Sequence, residues 1–187
     1  MIHTTDTNRP TGSAALTIAD LQARIRDIPD FPQPGIMFRD ITPLLADPAS
    51  LRAVVDTMAA PFQGKADVVV AIESRGFILG APIAYALGAG LALVRKPGKL
   101  PFTVESEAYT LEYGSNTLEI HQDAVTPGQR VLLVDDLLAT GGTVRAAANL
   151  VTRLGGDIVG VCVLAELSAL NGRAVLTDLP MTSFIVY

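Results

Sequence analysis

The chain has 187 residues, enough for one domain with a substantial core but short of what two full domains usually need. Hydrophobic residues make up 49% and charged residues 18%, which excludes disorder across the whole chain, and 14 Lys plus Arg against 19 Asp plus Glu leave a net charge of -5, which argues against a nucleic-acid or anionic-membrane partner held by bulk charge. The single cysteine, Cys162, cannot form an internal disulfide, and with two histidines it cannot build a zinc site of the usual spacing, so a reducing, cytoplasmic setting fits best.

Residues 1–15 are polar, lack the apolar run of a secretory signal, and read as a flexible tail. Leu16, Ile18, Leu21, Ile25 and Ile28 then recur near the helical period behind Thr17, a suitable N-cap, which predicts an amphipathic helix over this span. Residues 30–35, with Pro32, Pro34 and Gly35, must be a loop, and Asp47 followed by Pro48 opens a second helix with Leu51, Val54, Val55 and Met58 on one face. From Val68 the pattern changes to short, wholly apolar runs at 68–72, 91–94, 131–134 and 158–164, alternating with helical stretches, as strands of a parallel sheet covered on both faces would read. Residues 76–94 carry no charge and are long enough to raise a transmembrane helix, but Gly80, Pro82, Gly88 and Gly90 favour a buried helix of about three turns, a glycine turn and a strand. Residues 96–120 show no period and are either a long flexible excursion or a small antiparallel flap. Helical spacing returns over 142–154 and stops at Gly155-Gly156. The result is an α/β fold, with residues 16–187 forming one domain around a mostly parallel central sheet flanked by helices.

In such sheets ligands bind beyond the carboxyl ends of the strands. After 131–134 comes Asp135-Asp136-Leu137-Leu138-Ala139-Thr140-Gly141-Gly142-Thr143 and then a helix. Backbone N-H groups of a glycine-rich loop at a helix N-terminus suit a phosphate, with the hydroxyls of Thr140 and Thr143 as further donors. The two carboxylates would repel a bare phosphate, yet they can accept from vicinal sugar hydroxyls or hold a hydrated Mg²⁺, so a phosphorylated sugar satisfies both halves. P-loop and dinucleotide-binding spacings are not met: Gly64-Lys65 and Gly98-Lys99 lack the flanking residues, and Leu93 stands where a third glycine belongs. Three of fourteen basic residues, Arg95, Lys96 and Lys99, fall within five positions and form either a diphosphate site or a solvated basic loop. Arg75, beyond the strand 68–72, is a second diphosphate candidate through its forked donors, or else a partner in a surface salt bridge.

Residues 131–143 resemble the phosphoribosyl-pyrophosphate (PRPP) signature of the type I phosphoribosyltransferases, and residues 31–43, 73–77, 95–101 and 111–114 are similar to the adenine phosphoribosyltransferases among them. The resemblance spans roughly residues 20–187. It implies the type I fold, with an N-terminal hood over about 16–45 and a mobile flap over about 99–120. It also implies conversion of adenine and PRPP to AMP and pyrophosphate with Mg²⁺, by a cytoplasmic homodimer serving purine salvage. On this resemblance Asp135, Asp136, Ala139, Thr140, Gly141, Gly142 and Thr143 bind PRPP, with Mg²⁺ carried by PRPP rather than by a protein cage. Ser74, Arg75, Arg95, Lys96 and Lys99 hold pyrophosphate, with a non-proline cis peptide in the Ser74-Arg75 loop, and Arg75 also assists catalysis. Met37, Phe38, Arg39 and Leu167 bind adenine, Glu112 transfers the proton at the base, and Tyr113 belongs to the flap. Enzymes of the family acting on 6-oxopurines carry an acid where Ala139 stands here, which favours a 6-aminopurine. The alternatives are the same chemistry on a 6-oxopurine, or a non-catalytic PRPP sensor. Cys162, inside an apolar run, reads as an inert buried thiol; His3 and His121 receive no role.

Overall fold

The computed structural model describes residues 15–110 and 115–187, without the side chains of Thr110 and Ser115. The chain divides between Ala53 and Val54 into two compact units.

In the first unit α1 (Ile18–Gln22) starts at Thr17 with a capping box: the Asp20 amide donates to the Thr17 hydroxyl, and the Asp20 carboxylate accepts from the Thr17 amide at 2.9 Å. The expected helix over 16–28 is far shorter. Its second half leaves the helical path, and Arg26–Ile28 becomes β1, paired antiparallel with β2 (Phe38–Asp40). Cross-strand charges favour the hairpin over the local period, since Arg39 pairs with Asp27 and Arg26 lies 3.8 Å from Asp40. The intervening loop contains a cis Phe31-Pro32 bond and is closed by the Gly35 amide donating to the Asp30 carboxylate at 2.8 Å. A five-residue helix, α2 (Thr42–Ala46), had no periodic signal of its own. α3 (Pro48–Ala59) begins where the Asp-Pro pair predicts, with the Asp47 carboxylate accepting from the Ser50 amide, and runs across the division into the second unit.

The second unit is built on β3 (Val68–Ile72), α4 (Arg75–Leu87), β4 (Gly90–Val94), β5 (Val104–Thr110), β6 (Ser115–His121), β7 (Arg130–Leu138), α5 (Gly142–Arg153), β8 (Asp157–Glu166) and β9 (Met181–Val186). Five strands form a wholly parallel sheet in the order β4-β3-β7-β8-β9. Alternate residues of β3 serve opposite faces. Val68, Val70 and Ile72 join the cluster around Val144, Ala147, Ala148 and Val151 of α5, while Gly80 of α4 lies so close to Ala71 and Val69 that a Cβ would stand 2.5 Å from the Ala71 methyl. With both faces covered, the strand has no polar position, which is why its sequence is a continuous apolar run.

The uncharged stretch 76–94 is α4, a left-handed cap at Gly88 (φ +64°) and β4; no helix among the described residues is long and apolar enough to cross a membrane. Residues 96–120 include the antiparallel pair β5–β6, in register from Val104↔His121 to Thr110↔Ser115. Two features differ from expectation. β9 follows the last expected strand, and β7 does not stop at Val134 but continues to Leu138, so Asp135 and Asp136 are strand residues rather than the start of a loop. The pairing explains this: β7 parts from β3 after Val134↔Ala71 but keeps β8 as far as Leu138↔Glu166.

Candidate active site

The extension of β7 carries two aspartates into a nearly dry environment. Asp135 is 8% exposed and Asp136 5%, and the Asp136 amide donates to the Asp135 carboxylate at 2.8 Å. Arg75, the first residue of α4, approaches from the neighbouring strand end and places its Nε 3.0 Å from the Asp136 carboxylate. Gly76 allows this approach, because a Cβ there would stand 2.9 Å from the Val134 carbonyl oxygen and 3.0 Å from Asp135 Oδ1. Burial, and then the neighbouring Asp136 charge, pushes the Asp135 carboxyl well above the ordinary aspartate range; burial also raises Asp136, opposed by Arg75.

Beyond the strand the chain turns through Ala139, Thr140 and Gly141 into α5. Gly141 has φ +84° and no side chain caps the helix. A β-carbon at Gly141 would collide with Gly172 and Val175, so glycine is required both by conformation and by space. Asp135, Leu137, Leu138, Ala139, Thr140, Gly141, Thr143 and Val144 line a concave pocket. The Asp135 carboxylate at one wall and an uncapped helix start with two threonine hydroxyls at the other suit the hydroxyl end and the phosphate end of one ligand.

Glu73, given no role in the sequence reading, organises the basic segment. Its carboxylate accepts from Arg95 Nε at 3.2 Å and from the Lys96 amide at 2.9 Å, and its own amide donates to the Val94 carbonyl. Arg95 is further engaged with the Phe77 ring, 5.7 Å from its centroid, and with the Lys99 carbonyl, whereas the Lys96 and Lys99 side chains are exposed. The non-proline cis bond is Glu73-Ser74, one residue ahead of Ser74-Arg75. The β5–β6 hairpin clasps α5: Glu107 accepts from Asn149 Nδ2 at 2.7 Å and pairs with Arg153 at 2.8 Å, while the Thr143 hydroxyl donates to the Tyr109 hydroxyl at 3.3 Å. Glu112 and Tyr113 lie outside the described residues. Leu167 follows β8 and donates its amide to the Leu138 carbonyl, beside the pocket wall. Met37, Phe38 and Arg39 belong to the first unit, where Met37 is exposed and the Phe38 ring stands edge-on to Phe31 at 5.0 Å.

The phosphoribosyl transferase domain model matches residues 42–177. An adenine phosphoribosyltransferase of Myxococcus xanthus is 59% identical over 156 residues, covering 83% of this chain and 85% of its own. The chain belongs to the adenine phosphoribosyltransferase family. Solved members of that family share the fold. The adenine phosphoribosyltransferase of Thermoanaerobacter pseudethanolicus aligns with a TM-score of 0.89 at 49% identity, covering 91% of this chain and 100% of that one. The enzyme of Saccharomyces cerevisiae, complexed with adenine and an imino-altritol bisphosphate, aligns at 0.86 and 35%, covering 89% and 97%. As an adenine phosphoribosyltransferase the chain is a glycosyltransferase of the type I phosphoribosyltransferase fold. No group of three or more carboxylate, histidine or cysteine side chains able to hold a metal occurs among the described residues. The donor set of Asp135 and Asp136, two adjacent carboxylates, suits the water shell of a hydrated Mg²⁺.

Proposed function

We propose that the chain catalyses Mg²⁺-dependent transfer of the phosphoribosyl group of PRPP to adenine, yielding AMP and pyrophosphate, as a cytoplasmic homodimer in purine salvage. The pocket at the start of α5, with Asp135 on one wall and Thr140, Gly141 and Thr143 on the other, is the observation that carries this reading. The loop amides and threonine hydroxyls grip the 5′-phosphate, and the carboxylates of Asp135 and Asp136 accept from the ribose 2′- and 3′-hydroxyls. Mg²⁺, when bound, neutralises charge on the diphosphate, and Asp135 and Asp136 are the residues that would hold its water shell. Ser74, Arg75, Lys96 and Lys99 receive the diphosphate as negative charge accumulates on it, and Arg95, fixed by Glu73, sets the course of the lysine segment. As the C1′ bond to the diphosphate breaks, positive charge develops on the sugar ring beside the aspartates, a placement that favours the transition state over the ground state. Met37, Phe38, Arg39 and Leu167 hold adenine, with Phe38 stacked on the base. Glu112 transfers the N7 proton as N9 bonds to carbon, and the segment bearing Glu112 and Tyr113 excludes water, which would otherwise compete with a weak nucleophile. Two exposed side chains seven residues apart on α4, Ile78 and Tyr85, together with Leu91 on the edge strand β4, support a dimer in which a second copy covers them.

Incubation of the protein with PRPP, Mg²⁺ and adenine, hypoxanthine or xanthine in turn tests the reading. Pyrophosphate release with adenine alone is expected. Release with hypoxanthine would assign the chain to 6-oxopurines, and tight PRPP binding without turnover on any base would make it a sensor.

A further inference from the structure

Behind the phosphate loop lies a tight turn, residues 171–175, that none of these roles uses. Gly172 meets the loop backbone to backbone: a Cβ there would stand 2.2 Å from the Ala139 carbonyl oxygen and 3.1 Å from the Gly141 amide nitrogen. In return, a Cβ on Gly141 would stand 2.4 Å from the Gly172 carbonyl oxygen. At these separations the course of residues 139–141 is set by where the 172 peptide sits.

That peptide is tied down from two sides. Arg173 forks onto Glu166, its Nε 2.8 and 3.0 Å from the two carboxylate oxygens and its Nη2 2.8 Å from one of them. Glu166, buried at the end of β8, is also reached by the Ser183 hydroxyl of β9 at 2.6 Å, and Ser183 accepts from Arg173 at 2.9 Å. The hydrogen bonds of Arg173 come first among the influences holding the Glu166 carboxyl below its ordinary range. On the other side Arg145, in the first turn of α5, donates from Nε and Nη2 to the Val175 carbonyl at 2.9 and 2.7 Å and pairs with Asp178. The turn is thus braced between the sheet and the helix that presents the pocket. A buried carboxylate whose three donors all come from this turn and the adjoining strand holds them in one arrangement, because leaving it unpaired is costly.

We propose that Arg173 is a positioning residue for the 5′-phosphate: forked onto Glu166, it presses Gly172 against residues 139–141 and so keeps the loop amides at the spacing a phosphate requires, without touching substrate. The proposal rests on the reading of this loop as the 5′-phosphate site. Hydrogen bonds weaken steeply outside a narrow range of distance and angle, so a loop released by a fraction of an ångström loses phosphate affinity before it loses its fold.

The test compares Arg173→Met, Arg173→Lys and Gly172→Ala with wild type by calorimetric titration of ribose 5-phosphate, steady-state kinetics and thermal unfolding. In Arg173→Met the ribose 5-phosphate Kd and the PRPP KM should rise about tenfold, the size expected when one charge-assisted hydrogen bond is lost. The adenine KM and the kcat at saturating PRPP should stay within about twofold of wild type, since uniform binding alone is lost. Arg173→Lys should recover part of the affinity, and Gly172→Ala should reproduce the loss with the ion pair intact. A lowered Tm with unchanged PRPP KM would overturn the proposal and leave Arg173 as a strut. Equal rises in the adenine and PRPP KM would overturn it as well. If Arg173→Met does not fold, Gly172→Ala decides: an unchanged PRPP KM there sinks the idea. If wild type itself binds neither ribose 5-phosphate nor PRPP, the reading of the site has failed, and the proposal falls with it.

Discussion

Replacing Asp135 by Asn should make the protein more stable at neutral pH while weakening its hold on PRPP. Asp135 is almost fully buried, accepts from the Asp136 amide at 2.8 Å and faces a second carboxylate, so its ionised form is disfavoured in the folded state. Its folded pKa is therefore raised. Between the ordinary aspartate value near 4 and that raised value the folded chain keeps a proton the unfolded chain has released, and wild-type stability falls as pH rises through the window. The fall is about 1.4 kcal/mol for each pH unit of the window and stops once the folded pKa is passed. Asn keeps an acceptor for the Asp136 amide but cannot ionise, so the stability of the variant relative to wild type should grow with pH across this range. For a chain of this size each kcal/mol corresponds to about 2–4 °C in Tm. Thermal unfolding of both proteins at half-unit steps from pH 4 to 8, without ligand, measures the difference. Saturating PRPP with Mg²⁺ should then narrow or reverse it, because wild type gains more from binding. Parallel Tm profiles for the two proteins would refute the claim that this carboxylate is buried at the expense of stability.

The remaining predictions concern single residues. Glu112→Ala should lower kcat by about 10²- to 10⁴-fold with little change in PRPP affinity, the range of positioned acid-base groups, and an unchanged kcat in steady-state assay would remove Glu112 from the chemistry. A Cβ at Gly160 would stand 2.6 Å from the Phe62 ring, so Gly160→Ala should destabilise the fold by about 1–3 kcal/mol in denaturant titration while leaving both KM values alone. Burial pushes the Cys162 thiol up to about 12, and the thiol donates to the Met58 carbonyl; an aromatic disulfide reagent at pH 8 should label it only after unfolding, and rapid labelling of the native protein would contradict its burial. Tyr85→Asp, placing a charge on the exposed face of α4, should shift sedimentation from dimer to monomer if a second copy covers that face.

What was legible in the sequence follows from which forces are local. The runs at 68–72 and 131–134 announce strands because both faces of the sheet are covered, and residues 142–154 announce a helix because one face alone meets the sheet. The turn at 139–141 into α5 was legible because glycines between an apolar run and a helical period mark a turn and a helix start. The helix expected across 16–28 failed because β1 is held by β2, whose charges lie a dozen residues further on. The extension of β7 past Val134 was hidden for a related reason: Asp135 and Asp136 look like the end of a strand, and only β8, more than twenty residues later, keeps them in it. Glu73 was missed although it lies in a recognised segment, because its partners Arg95 and Lys96 are adjacent only after the sheet has formed.

Where β7 parts from β3, two helices begin near Asp135: a Cβ on Gly76 of α4 would stand 3.0 Å from its Oδ1, and Thr143 of α5 lines the pocket to which Asp135 belongs. Both helix starts, each a positive pole, thus lie close to one buried carboxylate, in a protein whose overall charge is negative. A long polyanion such as RNA meets mainly a surface of net negative charge, whereas a compact anion can enter the pocket at the start of α5. On the proposed reading of this pocket, a phosphorylated sugar is told from a nucleic acid by its size, without a basic exterior.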